Sequence, residues 1–319
     1  VAWSPDAGHV FSAGMDGRLK MWPSSTPPPV RELRGHTGSV LRIAFSPDGK
    51  RLATSGQSSR PGEVAPDNVV LIWDPASGSP VLTLRGHSKA VLGLAWSPDG
   101  QCIASGSLDG TVRVWDRNGV QLRLLPSSEG AVQSVAFSPD STVLACATGN
   151  TAVVWRLADG AEVSHIRYPD ALRMVNFSSD GRWMAAASQG GAVSIQDRRS
   201  GAEVRVLSTG SDLTGAWFSP DSDTIATAHI NGTILLWNVS TGRQLASMSG
   251  PKRAVQWLDF SPDGQRIASC TTDMMLDIWD IGSASEVYSI RAHNGPVMCV
   301  RFSPDGTRIA TCGQDSLVN

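Results

Sequence analysis

The chain has 319 residues, with 27 Lys and Arg against 29 Asp and Glu, for a formal net charge of −2. That balance leaves no global basic field to draw the protein to nucleic acid or to an anionic membrane. Five cysteines, an odd number without metal-ligand spacing, argue against a disulfide framework or a thiolate metal site, and no apolar run is long enough to cross a bilayer as a helix.

The chain opens on Val1-Ala2-Trp3, the tail of a strand, followed by Ser4-Pro5-Asp6. An aromatic residue followed by Ser-Pro-Asp returns at Phe45 to Asp48, Trp96 to Asp99, Phe137 to Asp140, Phe218 to Asp221, Phe260 to Asp263 and Phe302 to Asp305, with Phe177-Ser178-Ser179-Asp180 as a variant. The copies are 40 to 42 residues apart, except for one interval of 51. A fixed period of this length means one supersecondary unit copied many times, each copy burying its apolar face against its neighbours. The units fall near 1–36, 37–87, 88–128, 129–168, 169–209, 210–250, 251–293 and 294–319, the last incomplete.

In the first unit, Leu19 to Trp22 reads as an apolar strand. Pro23 to Pro29 is an extended connection, and Val30 to His36 supplies the outer strand. The second unit carries the long interval: Thr54 and Asp67 are nine residues further apart than Ser105 and Asp109 in the third. The excess, Gln57 to Pro66, is polar and rich in turn formers, so it must bulge from the turn between the second and third strands. Insertions in repeat arrays map to loops, often on the binding face, although a functionless insertion is equally compatible with this sequence.

The third unit is the clearest copy. Val91 to Trp96 is a near-continuous apolar run, as a strand buried on both faces requires. Ser97-Pro98-Asp99-Gly100 then breaks it with turn chemistry. Cys102 to Gly106 is a second strand, Leu108-Asp109-Gly110 a tight turn, and Thr111 to Trp115 an alternating third strand. Val120 to Leu125 gives a fourth, more polar one. Four antiparallel strands joined by tight turns make one small twisted sheet.

These residues resemble the tryptophan-aspartate (WD) repeat family of β-propellers. The resemblance rests on Gly35-His36 and Gly86-His87, and on the Trp-Asp endings Trp73-Asp74, Trp115-Asp116 and Trp279-Asp280. Trp22, Trp155 and Trp237 end their units with a different following residue, and Ile195-Gln196-Asp197 lacks the Trp. The resemblance covers essentially the whole chain. It implies an all-β propeller of four-stranded antiparallel blades, eight in preference to seven. The seven-blade alternative would close the ring with an outer strand donated by Val30 to His36 and would orphan the apolar strands before it.

The resemblance also implies a buried polar cluster in each blade. It maps onto His36, Thr54, Asp67 and Trp73, then His87, Ser105, Asp109 and Trp115, and finally His293, Thr311 and Asp315. A His beside a Ser and an Asp is also the makeup of a hydrolase triad. A catalytic constellation is needed once per active site, however, whereas a scaffold bond recurs in every blade, so the structural role is expected. The middle units lose the cluster: Ser128 and Tyr168 stand where His is expected, Cys146 and Ala186 where a hydroxyl is expected, and Gln196 where Trp is expected. Thr209 and Pro251 replace His later. Apolar drift is the expected reading, and remodelling around a ligand the alternative.

The expected function is a non-catalytic scaffold that binds a protein or peptide on its loop face. Candidate contacts on the face carrying the Gly-His loops are Met15, Arg60, Glu63, Lys89, Leu108, Ile230, Lys252 and Arg253. No cofactor, metal, nucleic acid or membrane is expected. One alternative is the sensing propeller of a longer signalling protein, a kinase or regulatory ATPase; a channel-site enzyme is a remoter one. Cys102, Cys146, Cys270, Cys299 and Cys312 lie in apolar strand contexts, which fits free thiols in a reducing, cytoplasmic compartment. The chain lacks an initiator Met and stops inside a third strand, so it is expected to be part of a longer protein or complex.

Overall fold

The structure, a computed structural model, describes residues 2–3, 9–13, 19–23, 31–33, 39–48, 50–57, 68–74, 77–127, 129–250, 253–292, 296–302 and 309–313, with the backbone alone for the strands before Leu41, for residues 43, 45, 56, 57, 298, 299 and 301, and for residues 309–313. It divides into two compact units, Val1–Arg167 and Tyr168–Asn319. Every described element is a strand.

The first unit holds four sheets, each of four strands in chain order. They are β1 (Ala2–Trp3), β2 (His9–Ala13), β3 (Leu19–Pro23) and β4 (Arg31–Leu33); then β5 (Ser39–Phe45), β6 (Leu52–Gln57), β7 (Val70–Asp74) and β8 (Ser79–Leu84); then β9 (Val91–Trp96), β10 (Cys102–Ser107), β11 (Thr111–Asp116) and β12 (Gln121–Pro126); then β13 (Val132–Phe137), β14 (Val143–Thr148), β15 (Thr151–Arg156) and β16 (Glu162–Arg167). The second unit holds β17 (Leu172–Phe177), β18 (Trp183–Ser188), β19 (Ala192–Asp197) and β20 (Glu203–Ser208); β21 (Leu213–Phe218), β22 (Thr224–His229), β23 (Thr233–Asn238) and β24 (Gln244–Ser249); β25 (Val255–Phe260), β26 (Arg266–Thr271), β27 (Met275–Asp280) and β28 (Ser285–Arg291); and the pair β29 (Val297–Phe302) and β30 (Ile309–Gly313). The four-stranded antiparallel units expected from the repeat are therefore present. The insertion around Gln57 to Pro66 falls between β6 and β7, and residues 58–67 lie outside the described set.

Burial is graded across each sheet. The second and third strands are sandwiched, so β18 is buried along its whole length and β7 from Val70 to Trp73. The fourth strand faces solvent on one side: Leu122 and Leu124 of β12 are 45% and 49% exposed. Sheets pack face to face within each unit. Val112, Val114 and Leu125 of one sheet meet Val132, Leu144 and Trp155 of the next, and Val193, Ile195 and Leu207 meet Leu213, Ile225 and Trp237. A single sheet has no other way to cover its apolar faces, which is why the unit must be repeated.

The first-strand edges are tied across sheets by side chains. Asn176 Nδ2 donates to the Ala216 carbonyl (2.6 Å), the Ala216 N–H reaches Met174 Sδ (3.4 Å), and the Phe302 N–H donates to Asp259 (3.0 Å). Trp217 and Trp257 add an edge-to-face ring contact at 5.3 Å.

The Ser-Pro-Asp turn closes on itself. The Ser97 hydroxyl donates to Asp99 (2.5 Å) and accepts the Cys102 N–H (2.8 Å), while Asp99 accepts the Gln101 N–H (3.0 Å). The same three bonds recur at Ser46, Ser138, Ser178, Ser219 and Ser261, each of them buried. The bond from the serine hydroxyl is the first reason that the carboxyls of Asp48 and Asp263 lie below their ordinary value. Pro at the second position presets the turn but is dispensable: Ser179 occupies it at the Ser178 turn, and the bonds are unchanged.

Removing the hydroxyl strands a buried N–H. Ser97→Ala is expected to cost roughly 1–2 kcal/mol in urea unfolding, and Ser261→Ala a similar amount. A loss below a few tenths at both would show that the turn does not depend on this bond.

Candidate interaction surface

Antiparallel order gives each sheet two chemically different ends. One end carries the Ser-Pro-Asp turns and the turns between third and fourth strands. The other carries the turns between second and third strands and the connections that lead into the next sheet. Among the described residues, the Gly86-His87 connection and the candidates Lys89, Leu108, Ile230 and Arg253 belong to the second end.

In the β9–β12 sheet this end is anchored by a continuous chain of bonds. Trp115 lies opposite Ile103 across the β10–β11 register, diagonal to Ser105 on the same face. Its indole N–H donates to Ser105 Oγ (3.0 Å), and the Ser105 hydroxyl donates to His87 Nε2 (2.8 Å). His87 Nδ1–H donates to Asp109 (2.9 Å). Asp109 also accepts the Ser88 N–H (3.0 Å), the Thr111 N–H (2.9 Å) and the Thr111 hydroxyl (2.7 Å). The carboxylate thus locks the incoming connection to the turn, and the acceptor role of Asp109 assigns the imidazole proton to Nδ1. Burial pushes the His87 pKa below its ordinary 6.5, against the opposing pull of Asp109. Burial alone would raise Asp109, but its bonds from Thr111 and His87 outweigh that and hold it below its ordinary value.

Other sheets keep parts of this chain. Trp73 donates to Thr54 (2.8 Å) and Trp279 to Ser269 (2.9 Å). Of the remaining cluster positions, His36, Asp67, His293 and Asp315 lie outside the described residues, and Thr311 is placed on β30 by its backbone alone. In the β13–β16 sheet the hydroxyl position is the buried Cys146, whose thiol burial pushes up to about 12. Thr148 there bonds Ser127 (2.7 Å) and the Gly130 carbonyl (3.0 Å), tying turn to connection without a His.

The sequence reading missed three substitutes. His229, at the end of β22, replaces the missing loop His. Its Nε2 accepts from Thr227 (3.0 Å), which in turn accepts the Trp237 indole N–H (3.2 Å), and its Nδ1 pairs with Ser211 (2.9 Å). The signal was available, because residues 227 and 229 share one face of a strand. In the β17–β20 sheet Gln196 Nε2 donates directly to Tyr168 Oη (3.0 Å), bypassing the absent hydroxyl at Ala186. That unit is therefore rebuilt with a new polar bond as well as apolar packing. In the β25–β28 sheet, where Pro251 stands in the His place, Asp273 pairs with Arg253 and accepts from the Thr271 hydroxyl.

Among the contact candidates, Lys89 is exposed on a connection, Leu108 is half-buried in the β10–β11 turn, and Ile230 is 52% exposed in the β22–β23 turn. Arg253 is about half exposed and engaged with Asp273. Met15, Arg60, Glu63 and Lys252 lie outside the described residues. Among the described residues, no group of three or more His, Cys, Asp or Glu could hold a metal ion, and no helix is long and apolar enough to cross a membrane.

A family model described as the IFT122 first beta-propeller matches residues 63–228, and one described as WD domain, G-beta repeat matches 1–23, 27–74, 242–280 and 284–319. Protein HIR1 of Mycosarcoma maydis is 31% identical over 190 residues, 50% of this chain and 18% of that protein. Autophagy-related protein 16 of Arabidopsis thaliana is 23% identical over 250 residues, covering 76% of this chain and 47% of that one. Cell division cycle 20.1, cofactor of APC complex, from the same plant, is 25% identical over 268 residues, covering 79% and 56%. The chain thus spans from about a fifth to just over half of the length of these relatives. Among solved structures, the computationally designed Ika8 protein superposes with a TM-score of 0.85 at 23% identity, covering 98% of this chain and 92% of that one. The C-terminal WD40 domain of Sif2 superposes at 0.84 with 16% identity, covering 99% and 93%. At these identities the two structures speak for the fold alone.

Asp109→Ala is expected to destabilise the protein by roughly 1–3 kcal/mol, whereas Asn150→Ala, in the corresponding turn of the β14–β15 hairpin, stays within about 0.5. Equal melting-temperature losses would remove the structural assignment. The pH dependence has a definite sign. His87 and His229 both have native pKa values lowered by burial, so below about pH 6.5 the unfolded chain binds more protons than the native one. Their contribution to stability is complete above that pH and declines as the pH falls through the acid range. His87→Gln and His229→Gln together should flatten the slope of stability between pH 7 and 5; an unchanged slope would place the titration elsewhere.

Proposed function

The chain belongs to the WD-repeat β-propeller family, and we propose that it is a non-catalytic scaffold that holds a protein or peptide partner on the Gly-His ends of its sheets. What supports this most is the division of labour at that end. The two buried histidines there are consumed by scaffold bonds, His87 between Ser105 and Asp109 and His229 between Thr227 and Ser211. Among the described residues, the side chains left to solvent there include the cations Lys89 and Arg253 and the apolar Ile230, beside the carboxylates Asp170 and Asp212. Lys89 is presented on a connection whose backbone carbonyl accepts from Ser107 (3.0 Å), and Ile230 on a turn closed by Gly232 (3.2 Å). Rigid mounts of this kind lower the ordering cost of binding.

Each sheet supplies one turn and one connection to this end, so an interface of ordinary size must draw on several neighbouring sheets. One relative is by name a cofactor of the APC complex, and an assembly role fits the same logic for this chain. The insertion between β6 and β7 belongs to this end too and is the largest single addition to it.

An affinity capture to identify the partner, followed by a hydrogen-exchange footprint, tests the reading. Lys89→Glu is expected to weaken an acidic partner about tenfold while changing stability by less than about 0.5 kcal/mol. Replacing residues 58–65 by a short Gly-containing turn should leave the melting temperature nearly unchanged, because surface loop length costs little, and should reduce partner affinity. Substitutions at Asp48, Asp99 and Asp263 probe the opposite end. Protection confined to the Ser-Pro-Asp turns would overturn the choice of end.

A further inference from the structure

Among the described residues, four other than glycine hold a left-handed backbone: Ser141 (φ 55°), Ser222 (φ 68°), Met274 (φ 78°) and Ala284 (φ 52°). A residue with a Cβ is strained there, so each needs a return. Three have one inside the fold. Ser141 and Ser222 stand where other Ser-Pro-Asp turns have Gly, and their hydroxyls accept the N–H of Asp99 and Asp180 from the preceding sheet, both at 3.1 Å. Ala284 packs on the core cluster that includes Trp279.

Met274 is different. It occupies the turn between β26 and β27, at the position held by Gly110 (φ 82°), Gly191 (φ 90°) and Gly232 (φ 88°) in three other sheets. Its backbone does what those glycines do: its N–H closes the turn on the Thr271 carbonyl (3.3 Å), and its carbonyl accepts from Ala292 (2.9 Å). Gly110 makes the matching bonds with Ser107 and Ser127, and Gly191 with Ser188 and Thr209. Glycine would serve the turn without strain. The Met residue is partly buried, and Arg291 points a guanidinium N–H at its sulfur (3.2 Å).

Two guanidinium groups lie close to this turn among the described residues. Arg291 is exposed, and Arg253 is about half exposed. The one carboxylate in the turn, Asp273, is mostly buried and already engaged by Arg253 and the Thr271 hydroxyl. A polarizable apolar side chain on a strained, closed turn, flanked by two guanidinium groups, is complementary to an apolar residue set among carboxylates.

We propose that the β26–β27 turn is the docking point for an acidic peptide segment, with Met274 as the apolar anchor and Arg253 and Arg291 as the carboxylate contacts. This rests on the scaffold reading and specifies its partner chemistry. The strain at Met274 is the cost of presenting the anchor, so folding and binding pull in opposite directions at this residue.

The test is a phage-displayed library of random dodecamers selected on the whole chain, with the enriched peptides then measured by fluorescence anisotropy. The expected peptides carry Asp or Glu around a Leu, Met or Phe. Their affinity should fall at least about tenfold in Met274→Gly, persist in Met274→Leu, and weaken with added salt. Met274→Gly should melt at the same or a higher temperature, because glycine relieves the backbone. Peptides that bind Met274→Gly as tightly as the native protein, that lack acidic residues, or that never enrich would each overturn the proposal. If the enriched peptides are lost on Lys89→Glu but not on Met274→Gly, the scaffold reading stands and this docking point does not.

Discussion

The bond from a third-strand tryptophan to a second-strand hydroxyl underlies the rest of the structure. Trp73 to Thr54, Trp115 to Ser105, Trp237 to Thr227 and Trp279 to Ser269 span 2.8 to 3.2 Å in four sheets. Tryptophan brings the largest apolar area a sheet can bury, but it brings an N–H with it, and a buried unpaired N–H costs as much as a hydrogen bond can return. One hydroxyl on the neighbouring strand resolves this and leaves the oxygen with a proton to place. In two sheets the next bond outward follows from that proton. His87 accepts it from the loop, His229 accepts it from the strand itself, and either imidazole then reaches the connection to the preceding sheet. At Ala186 the hydroxyl and the tryptophan are both absent and Gln196 meets Tyr168 directly, whereas Trp155 is kept and buried in the sheet that has Cys146 at the hydroxyl position.

The two ends of each sheet consequently evolve under different constraints. At the Ser-Pro-Asp end the serine, the carboxylate and the backbone of each turn bond one another, and the six described copies have the same bonds. At the Gly-His end the bonds must bridge from one unit of sequence to the next, and they do so with His87 and Asp109, with Ser127 and Thr148, with Ser211 and His229, or with Arg253 and Asp273. Several chemistries satisfy the same mechanical need. That tolerance lets the residues between them vary, and variable side chains on fixed turns are what recognition requires.

Arg253 and Met274 set the β26–β27 turn apart from its counterparts in the other sheets. Arg253 takes the place of a histidine as the partner of Asp273 while keeping about half of its side chain in water. Met274 accepts a backbone that glycine would hold without strain. Neither feature strengthens the core, and both change what the turn presents to solvent.

The repeat period, the strand order and the turn chemistry were legible in the sequence because each depends on residues close together in the chain. Ser97 and Asp99 are two apart, and the apolar runs on either side of them need no knowledge of distant partners. The tryptophan-to-hydroxyl bond was implied by the family resemblance, and the β10–β11 register sets the two residues diagonal to each other on one face. What only the tertiary structure decided were the substitutions. His229 was overlooked because the eye sought a histidine in the loop, yet the requirement is for an imidazole near Thr227 in space, from whichever direction. Arg253 read as a free surface cation until the fold brought Asp273 against it across twenty residues. The strain at Met274 is invisible in sequence, because φ is fixed by the hairpin that the residue must close. Local order follows from neighbours along the chain; the identity of a bond's partner depends on which groups packing leaves within reach, and a short side chain reaches only a few ångströms.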